Sequence, residues 1–212
     1  MASMFENFIE RLEKRLSSPL PGKLSQQKMA PTPRGSSRIF DWGKQKPRPG
    51  GVLILFYPND ENIYFPLIQR PHYGGIHSGQ ISLPGGKEEN HDQSLVETAL
   101  REAEEEVGVI SKGVKVIGTL TELYIIASNY HVLPVIGFVD QKPQFIPDQT
   151  EVVKILEANL TDLTSQSLKS KEMTVGNNIT IESPYYNIHG HVVWGATAMI
   201  LSELVDIVRP IQ

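Results

Sequence analysis

The chain has 212 residues, of which 40% are hydrophobic, with a net charge of −4 and no cysteine. That apolar content suits one core large enough to fold unaided, and the missing cysteine excludes disulfides, thiolate metal sites and cysteine nucleophiles. The acidic balance gives no footing for nucleic acid as the main partner, and no apolar run approaches the roughly 18 residues that a membrane span requires.

Residues 3–17 predict an amphipathic helix, with Met4, Phe5, Phe8, Ile9, Leu12 and Leu16 on one stripe. That stripe would pack on the domain or on a second copy of the chain, so a homodimer stays open. The polar face mixes both charges, which argues against a membrane surface. Glu6, Glu10 and Glu13 stand where a signal peptide would be apolar. With the absence of cysteine, this leads to the expectation of a cytoplasmic protein. Residues 18–36 carry four prolines and two glycines without periodicity, and read as a connecting arm. The expected organisation is an N-terminal helix and arm over residues 1–36 and a single domain over 37–212.

Val52–Tyr57 and Ile63–Gln69 predict a strand pair turning at Pro58-Asn59-Asp60-Glu61, with Arg70 at its end. Arg70 is either an ordinary strand-end cation or a planar fork for phosphate. Residues 71–79 form a glycine-rich loop that holds His72 and His77 but matches no phosphate-loop pattern. No third ligand at suitable spacing supports a zinc site there. Beyond residue 109, Val114–Ile126 predicts one long strand or two, and Val132–Val139 a buried strand introduced by Tyr130. Val152–Leu160 reads as a strand in competition with a helix. Leu168–Ile181 reads as a hairpin turning at Gly176-Asn177-Asn178, Tyr185–Val193 as one strand, and Ala196–Val208 as a closing helix. Strands alternating with helices give an α/β fold.

The informative stretch is Gly85–Val109. Pro84, Gly85 and Gly86 make a turn, Ser94 with Glu97 fits a capping box, and Gly108 fits a left-handed stop. Leu95, Ala99, Ala103 and Val107 supply the buried stripe. Glu102, Glu105 and Glu106, three and four residues apart, project close together on a helix. Only Arg101 is near enough to offset their repulsion, and Glu97 is placed to share it. Most Glu runs are solvated faces, and on the run alone that reading leads. A divalent cation would turn the repulsion into attraction, because hard cations such as Mg²⁺ take carboxylate oxygens together with waters and substrate phosphates.

The pattern around the run changes that weighting. Arg101-Glu102-Ala103-Glu104-Glu105-Glu106-Val107-Gly108-Val109 resembles the core of the Nudix box, REUxEExGU with U aliphatic. The usual box has Gly fourteen residues before the Arg and Glu eight before it; here those places hold Lys87 and Gln93. Gly86 lies fifteen before, so the turn carries one extra residue, and Asp92 stands near the missing acid. Leu67-Ile68-Gln69-Arg70, the run His77-Ser78-Gly79-Gln80-Ile81-Ser82-Leu83-Pro84-Gly85-Gly86 and Val193-Trp194-Gly195-Ala196-Thr197-Ala198 are similar to signatures of the coenzyme A pyrophosphatase branch.

The resemblance implies a Nudix-type α/β/α sandwich with a mixed sheet. It implies a metal-dependent hydrolase using Mg²⁺ or Mn²⁺ that cleaves the diphosphate of coenzyme A or its derivatives to 3′,5′-ADP and 4′-phosphopantetheine. Glu102 and Glu106 become candidate metal ligands, Glu105 a ligand or general base, and Gly86 a carbonyl donor. Arg101 is expected to orient a box carboxylate, and Glu104 to face solvent. His77, Gly79, Gln80, Arg70 and Arg34 become candidate substrate contacts, with Lys28 a weaker one. Glu151 and Asp148 are later-loop alternatives for the base. Nothing in the residues themselves selects coenzyme A over ADP-ribose or NADH. A nucleotide-binding module that does not cleave is the contrasting reading, opposed by the intact Arg101, Glu102, Glu105, Glu106 and Gly108.

Overall fold

The computed structural model describes residues 3–33, 45–74, 77–175 and 179–211. Helix α1 (Met4–Leu16) opens on a complete capping box between Ser3 and Glu6 and buries Phe5, Phe8, Ile9 and Leu12. Its stripe packs on the chain's own core, in one cluster with Phe56, Ile136 and Leu201. The arm contains a short helix, α2 (Lys23–Gln27), and then β1 (Thr32–Pro33). Neither has an apolar period that would announce it.

Strand β2 (Arg48–Asn59) and β3 (Asn62–Gln69) form the first hairpin. Pro58 and Asn59 belong to the ladder, opposite Ile63 and Asn62, so the turn is shorter than the sequence suggests and closes at Asp60 with φ 53°. The short β4 (Ile81–Ser82) pairs with β3, and β5 (Gly85–Lys87) pairs antiparallel with β2. Helix α3 (Leu95–Val107) follows. The stretch predicted as one strand or two is two, β6 (Lys115–Thr119) and β7 (Leu123–Ile125), both against β8 (Tyr130–Phe138). Strand β8 lies parallel to β2, and β9 (Lys154–Asn159) adds antiparallel to β3. The result is a mixed sheet.

A six-residue helix, α4 (Leu160–Ser165), begins where the strand was expected to end, because the Asn159 side chain accepts from Thr161 and Asp162 N–H groups. Strands β10 (Lys169–Val175), β11 (Ile179–Ile188) and β12 (His191–Trp194) make a second sheet with β1. The Gly176-Asn177-Asn178 turn lies outside the described residues. The expected strand Tyr185–Val193 is corrected. It breaks at His189 and Gly190, whose φ values of 51° and 83° make a tight two-residue turn. Helix α5 (Gly195–Val208) closes the chain.

Two cores separate across the large sheet. On one face Leu53, Leu55 and Val135 meet Ala99, Ala103 and Val107 of α3. On the other, Ile54, Phe56 and Ile136 meet α1 and α5. This is an α/β/α arrangement. No helix among the described residues is long and apolar enough to cross a membrane.

The arm is fixed by a carboxylate inside the protein. Glu203 on α5 is fully buried. It accepts from Gly22 N (3.1 Å), Gln26 Nε2 (2.9 Å), Thr121 N (3.3 Å) and Thr121 Oγ1 (2.7 Å). Those donors satisfy a charge that burial would otherwise penalise. Glu203→Leu should leave them unpaired, cost at least about 3 kcal/mol and expose residues 18–33 to protease. Urea unfolding and limited proteolysis check this; unchanged cleavage of the arm would refute it.

Candidate active site

Helix α3 carries the site. Ser94 Oγ accepts from Glu97 N at 3.2 Å, and Glu97 Oε2 accepts from Gln93 N at 2.7 Å, so the reciprocal cap reaches one residue earlier than a standard box. Glu97 is therefore a cap. At the other end Gly108 takes φ 73° and donates to Glu104 O.

The three box carboxylates differ in burial. Glu106 is 1% exposed, on the apolar side of the helix. Its Oε2 accepts from Gly85 N at 2.8 Å, and its Oε1 has no hydrogen-bond partner. Arg70 Nη2 lies 3.7 Å from that oxygen. Burial pushes the Glu106 carboxyl up to about 7, against the pull of Arg70 and the Gly85 N–H, while Glu102 and Glu151 push with it. Glu102 is raised too, chiefly by burial, with Arg101 opposing. Glu105 is 60% exposed and pairs with Arg101 at 3.0 Å. Glu104 is exposed, as expected, and caps Ser111 N.

The glycine turn supplies the opposite wall. Leu53 N donates to Pro84 O and Glu88 N to Pro49 O, so by antiparallel alternation Gly86 and Gly51 are also a bonded pair. The Gly86 carbonyl therefore turns into the ladder. The polar groups that face the site are those of Gly85, whose N–H reaches Glu106 and whose carbonyl accepts from Arg70 Nη2 at 3.2 Å. What Gly86 itself visibly contributes is room. A Cβ there would lie 2.3 Å from Glu102 Oε2.

Arg70 is a committed fork, with Nε on Ser82 Oγ at 3.1 Å besides Gly85 and Glu106. In the loop above it, His77 Nδ1 meets Gln80 Oε1 at 3.0 Å, and burial holds the imidazole below its usual pKa. Gly79 takes φ +67°, and the His72 ring lies where its Cβ would be. Arg34 lies outside the described residues. Lys28 is held by Asp206 at 2.5 Å, on α5.

Arg101 points to a residue that sequence reasoning left unassigned. The Asp92 side chain is screened from solvent by its partners and accepts Arg101 Nε on Oδ1 (2.9 Å) and Nη2 on Oδ2 (3.0 Å), with Thr98 Oγ1 and Glu89 N also on Oδ2. The Arg101 guanidinium holds the Asp92 carboxyl well below the usual carboxylate range. Arg101 also meets Glu102 at 3.0 Å and Lys87 O at 3.0 Å. Asp148 is a turn-former, its Oδ1 accepting from Thr150 N and Glu151 N. That turn is tied to Glu106 O through Asp148 N and to Gln69 O through Val153 N. It thereby brings Glu151 near enough to raise both Glu102 and Glu106.

Among the described residues no three Asp, Glu or His side chains enclose an ion by themselves. A small hard cation does not need that. It takes one or two carboxylates and completes its shell with waters and substrate phosphate. The buried, unpartnered Glu106 oxygen beside Glu102 fits such an ion. A shallow hollow of about 620 Å³ along the outer side of α3 touches Arg101 and Glu105, but neither Glu102 nor Glu106 lines it.

The structure defines an α/β/α fold with a partly buried carboxylate cluster on one helix, and comparison with known proteins gives its family. The NUDIX domain matches residues 47–171. The chain is 37% identical over 141 residues to the uncharacterized Nudix hydrolase NudL of Yersinia pestis (strain Pestoides F), covering 65% of this chain and 69% of that one. The same figures hold for NudL of Yersinia pseudotuberculosis serotype O:1b (strain IP 31758). A MutT/nudix family protein from Enterococcus faecalis superposes with a TM-score of 0.48 at 17% identity, over 96% of this chain and 73% of that one. The chain belongs to the Nudix family. It is a pyrophosphohydrolase.

Two predictions follow from these charges. The Glu106 carboxyl is raised in the folded protein, so its contribution to stability is full below its unfolded value near 4.3 and is lost as pH rises through about 7. Metal-free protein should therefore melt lower at pH 8 than at pH 5, Glu106→Gln should flatten that slope, and Mg²⁺ should restore stability at pH 8. Asp92 is the opposite case. Its depressed value gives stability above about pH 4 that is lost as pH falls further, and Asp92→Ala should cost about 1–3 kcal/mol by removing the bidentate partner of Arg101 and the acceptor of Thr98 and Glu89 N.

Proposed function

We propose that this site hydrolyses the diphosphate of coenzyme A or a coenzyme A derivative, giving 3′,5′-ADP and 4′-phosphopantetheine or its acylated form. The observation that carries the hydrolytic part is the Glu106 carboxylate. It is buried, has one oxygen unpartnered, and sits between the Gly85 N–H and the Arg70 fork. The coenzyme A part rests on the resemblance of the His77–Gly86 and Val193–Ala198 runs to that branch. Residues 1–36 are read as an arm on a single domain, 37–212.

Mg²⁺ or Mn²⁺ would be held by Glu106 and Glu102, with Glu105 and the Gly85 carbonyl adjacent. When bound, it supplies charge neutralisation for the diphosphate and a more acidic water. The chain's own part is mostly positioning and electrostatics. Arg70 presents N–H groups to a phosphate oxygen beside Gly85. Arg101, locked by Asp92, fixes Glu102 and Glu105. In the hydrolysis a water oxygen joins phosphorus, the bridging P–O bond breaks, and a carboxylate takes the proton. Glu151 is the base we favour over Asp148, because its turn is anchored on both sides of the Glu106–Arg70 pair and the Asp148 carboxylate caps that turn.

Purified protein should release 3′,5′-ADP from coenzyme A in the presence of Mg²⁺ or Mn²⁺, followed by chromatography beside ADP-ribose and NADH. Glu106→Gln should keep the fold and lose at least about 100-fold in turnover. Cleavage of ADP-ribose alone would remove coenzyme A from the reading. Unchanged turnover in Glu106→Gln would remove the metal assignment.

A further inference from the structure

The connection between β8 and β9 contains no helix or strand, yet it is tied down along its length. Phe145 packs against the core beneath α3 and meets the Tyr57 ring edge to face at 5.4 Å. Val152 is buried in the same cluster as Ala103 and Val107 of α3. Between these two pegs the backbone crosses the end of that helix. The last carbonyls of a helix have no partners within it. Here Val107 O accepts from Ile146 N and Glu106 O from Asp148 N, both at 3.0 Å. The connection is therefore bonded to the peptide of the buried site carboxylate itself.

Gly108 makes that crossing possible. Its φ of 73° is one reason for glycine. Space is a second reason. A Cβ there would lie 2.9 Å from Ile146 Cβ, 3.0 Å from Ile146 O and 3.1 Å from Ile146 N, atoms that no change of rotamer moves. After the crossing the chain turns at once. Asp148 Oδ1 accepts from Thr150 N at 2.7 Å and from Glu151 N at 3.1 Å, and Asp148 O accepts from Val152 N at 2.9 Å. Val153 N then donates to Gln69 O, next to Arg70. Glu151 is exposed on this turn, and its charge is felt at both Glu102 and Glu106.

We propose that Gly108 and Asp148 are positioning residues for Glu151. Gly108 admits the chain against the end of α3, and Asp148 folds the turn that follows, so one helix sets both the metal ligands and the base. The assignment rests on the reading of Glu151 as the group that takes the proton from water. It gives the Asp148 carboxylate no proton to carry, because an acceptor oxygen is all that the turn asks of it.

Turnover of coenzyme A, or of ADP-ribose if the product assay finds that cleaved instead, tests this together with amide hydrogen exchange over residues 145–153. Glu151→Gln should lower kcat about 100-fold or more. Asp148→Ala should lower kcat at least about tenfold with KM little changed, and Asp148→Asn, which keeps the acceptor, should restore most of it. Gly108→Asn tolerates the left-handed φ but still adds the Cβ. It should lower kcat likewise and speed exchange at Ile146 and Asp148. On a Glu151→Gln background neither Asp148→Ala nor Gly108→Asn should lower kcat further. The proposal is overturned if Asp148→Ala turns over as the wild type does, if Asp148→Asn is as slow as Asp148→Ala, or if either loss multiplies with that of Glu151→Gln. If neither nucleotide is cleaved, or Glu151→Gln keeps full turnover, the hydrolytic or the base reading has failed and exchange decides the clamp alone. Unchanged protection at Ile146 and Asp148 in Gly108→Asn would then overturn it.

Discussion

Backbone has to come against backbone where β2, β5 and α3 meet, and the site exists because it does. A Cβ on Gly51 would lie 2.3 Å from Leu95 O, one on Gly85 2.3 Å from Gly51 O, and one on Gly86 2.3 Å from Glu102 Oε2. None of these can be relieved by a side-chain rotation of the neighbour except the last, and there the neighbour is the carboxylate itself. With side chains at these positions α3 would stand off from the sheet, Gly85 N–H would no longer reach Glu106, and the buried carboxylate would lose its only hydrogen bond. The glycines are thus required by distance, and the electrostatics of the site follow from that approach.

The charges then fall into a graded order. Glu106, Glu102, Glu105, Glu151 and Asp92 are five carboxyls against the two guanidiniums of Arg70 and Arg101, and Asp92 takes up much of Arg101. The excess is negative, and it is concentrated at the buried end, where repulsion and desolvation are felt most. Burial raises Glu106 and Glu102 in the metal-free protein for this reason. A divalent ion reverses the balance, so metal binding and deprotonation of the buried carboxyl are linked.

Much of this was legible in the sequence because helical spacing is short-range. Glu102, Glu105 and Glu106 fall near one another by the helical repeat alone, and the Gly108 stop and the Ser94 cap are local chemistry. Spacing could not rank the three by burial, since that depends on which side of α3 meets β5. Which of the Gly85 and Gly86 peptides faces the cradle was not legible, because ladder alternation is fixed by a strand more than thirty residues earlier. The tight turn at His189-Gly190 had a local signal in its left-handed pair of residues, hidden by the apolar residues on either side. Glu203 gave none. An acid on an apolar helix face finds its donors in Gly22, Gln26 and Thr121, all distant in sequence.

The one-residue-longer turn becomes intelligible through Asp92. The usual acid eight residues before the arginine is Gln93 here, and the acid sits one residue earlier on a shorter side chain. Both oxygens of Asp92 are spent inside the protein, on two nitrogens of Arg101, on Thr98 and on Glu89 N–H. Little lone-pair capacity is left for an ion. Its work is to fold the loop after β5 back onto α3 and to set Arg101, which in turn holds Glu102 and Glu105 at 3.0 Å each. An ion pair therefore shapes this side of the cradle before any metal arrives. Positioning of that kind lowers the cost of organising charged groups around a diphosphate, because the reorganisation is already complete when substrate binds.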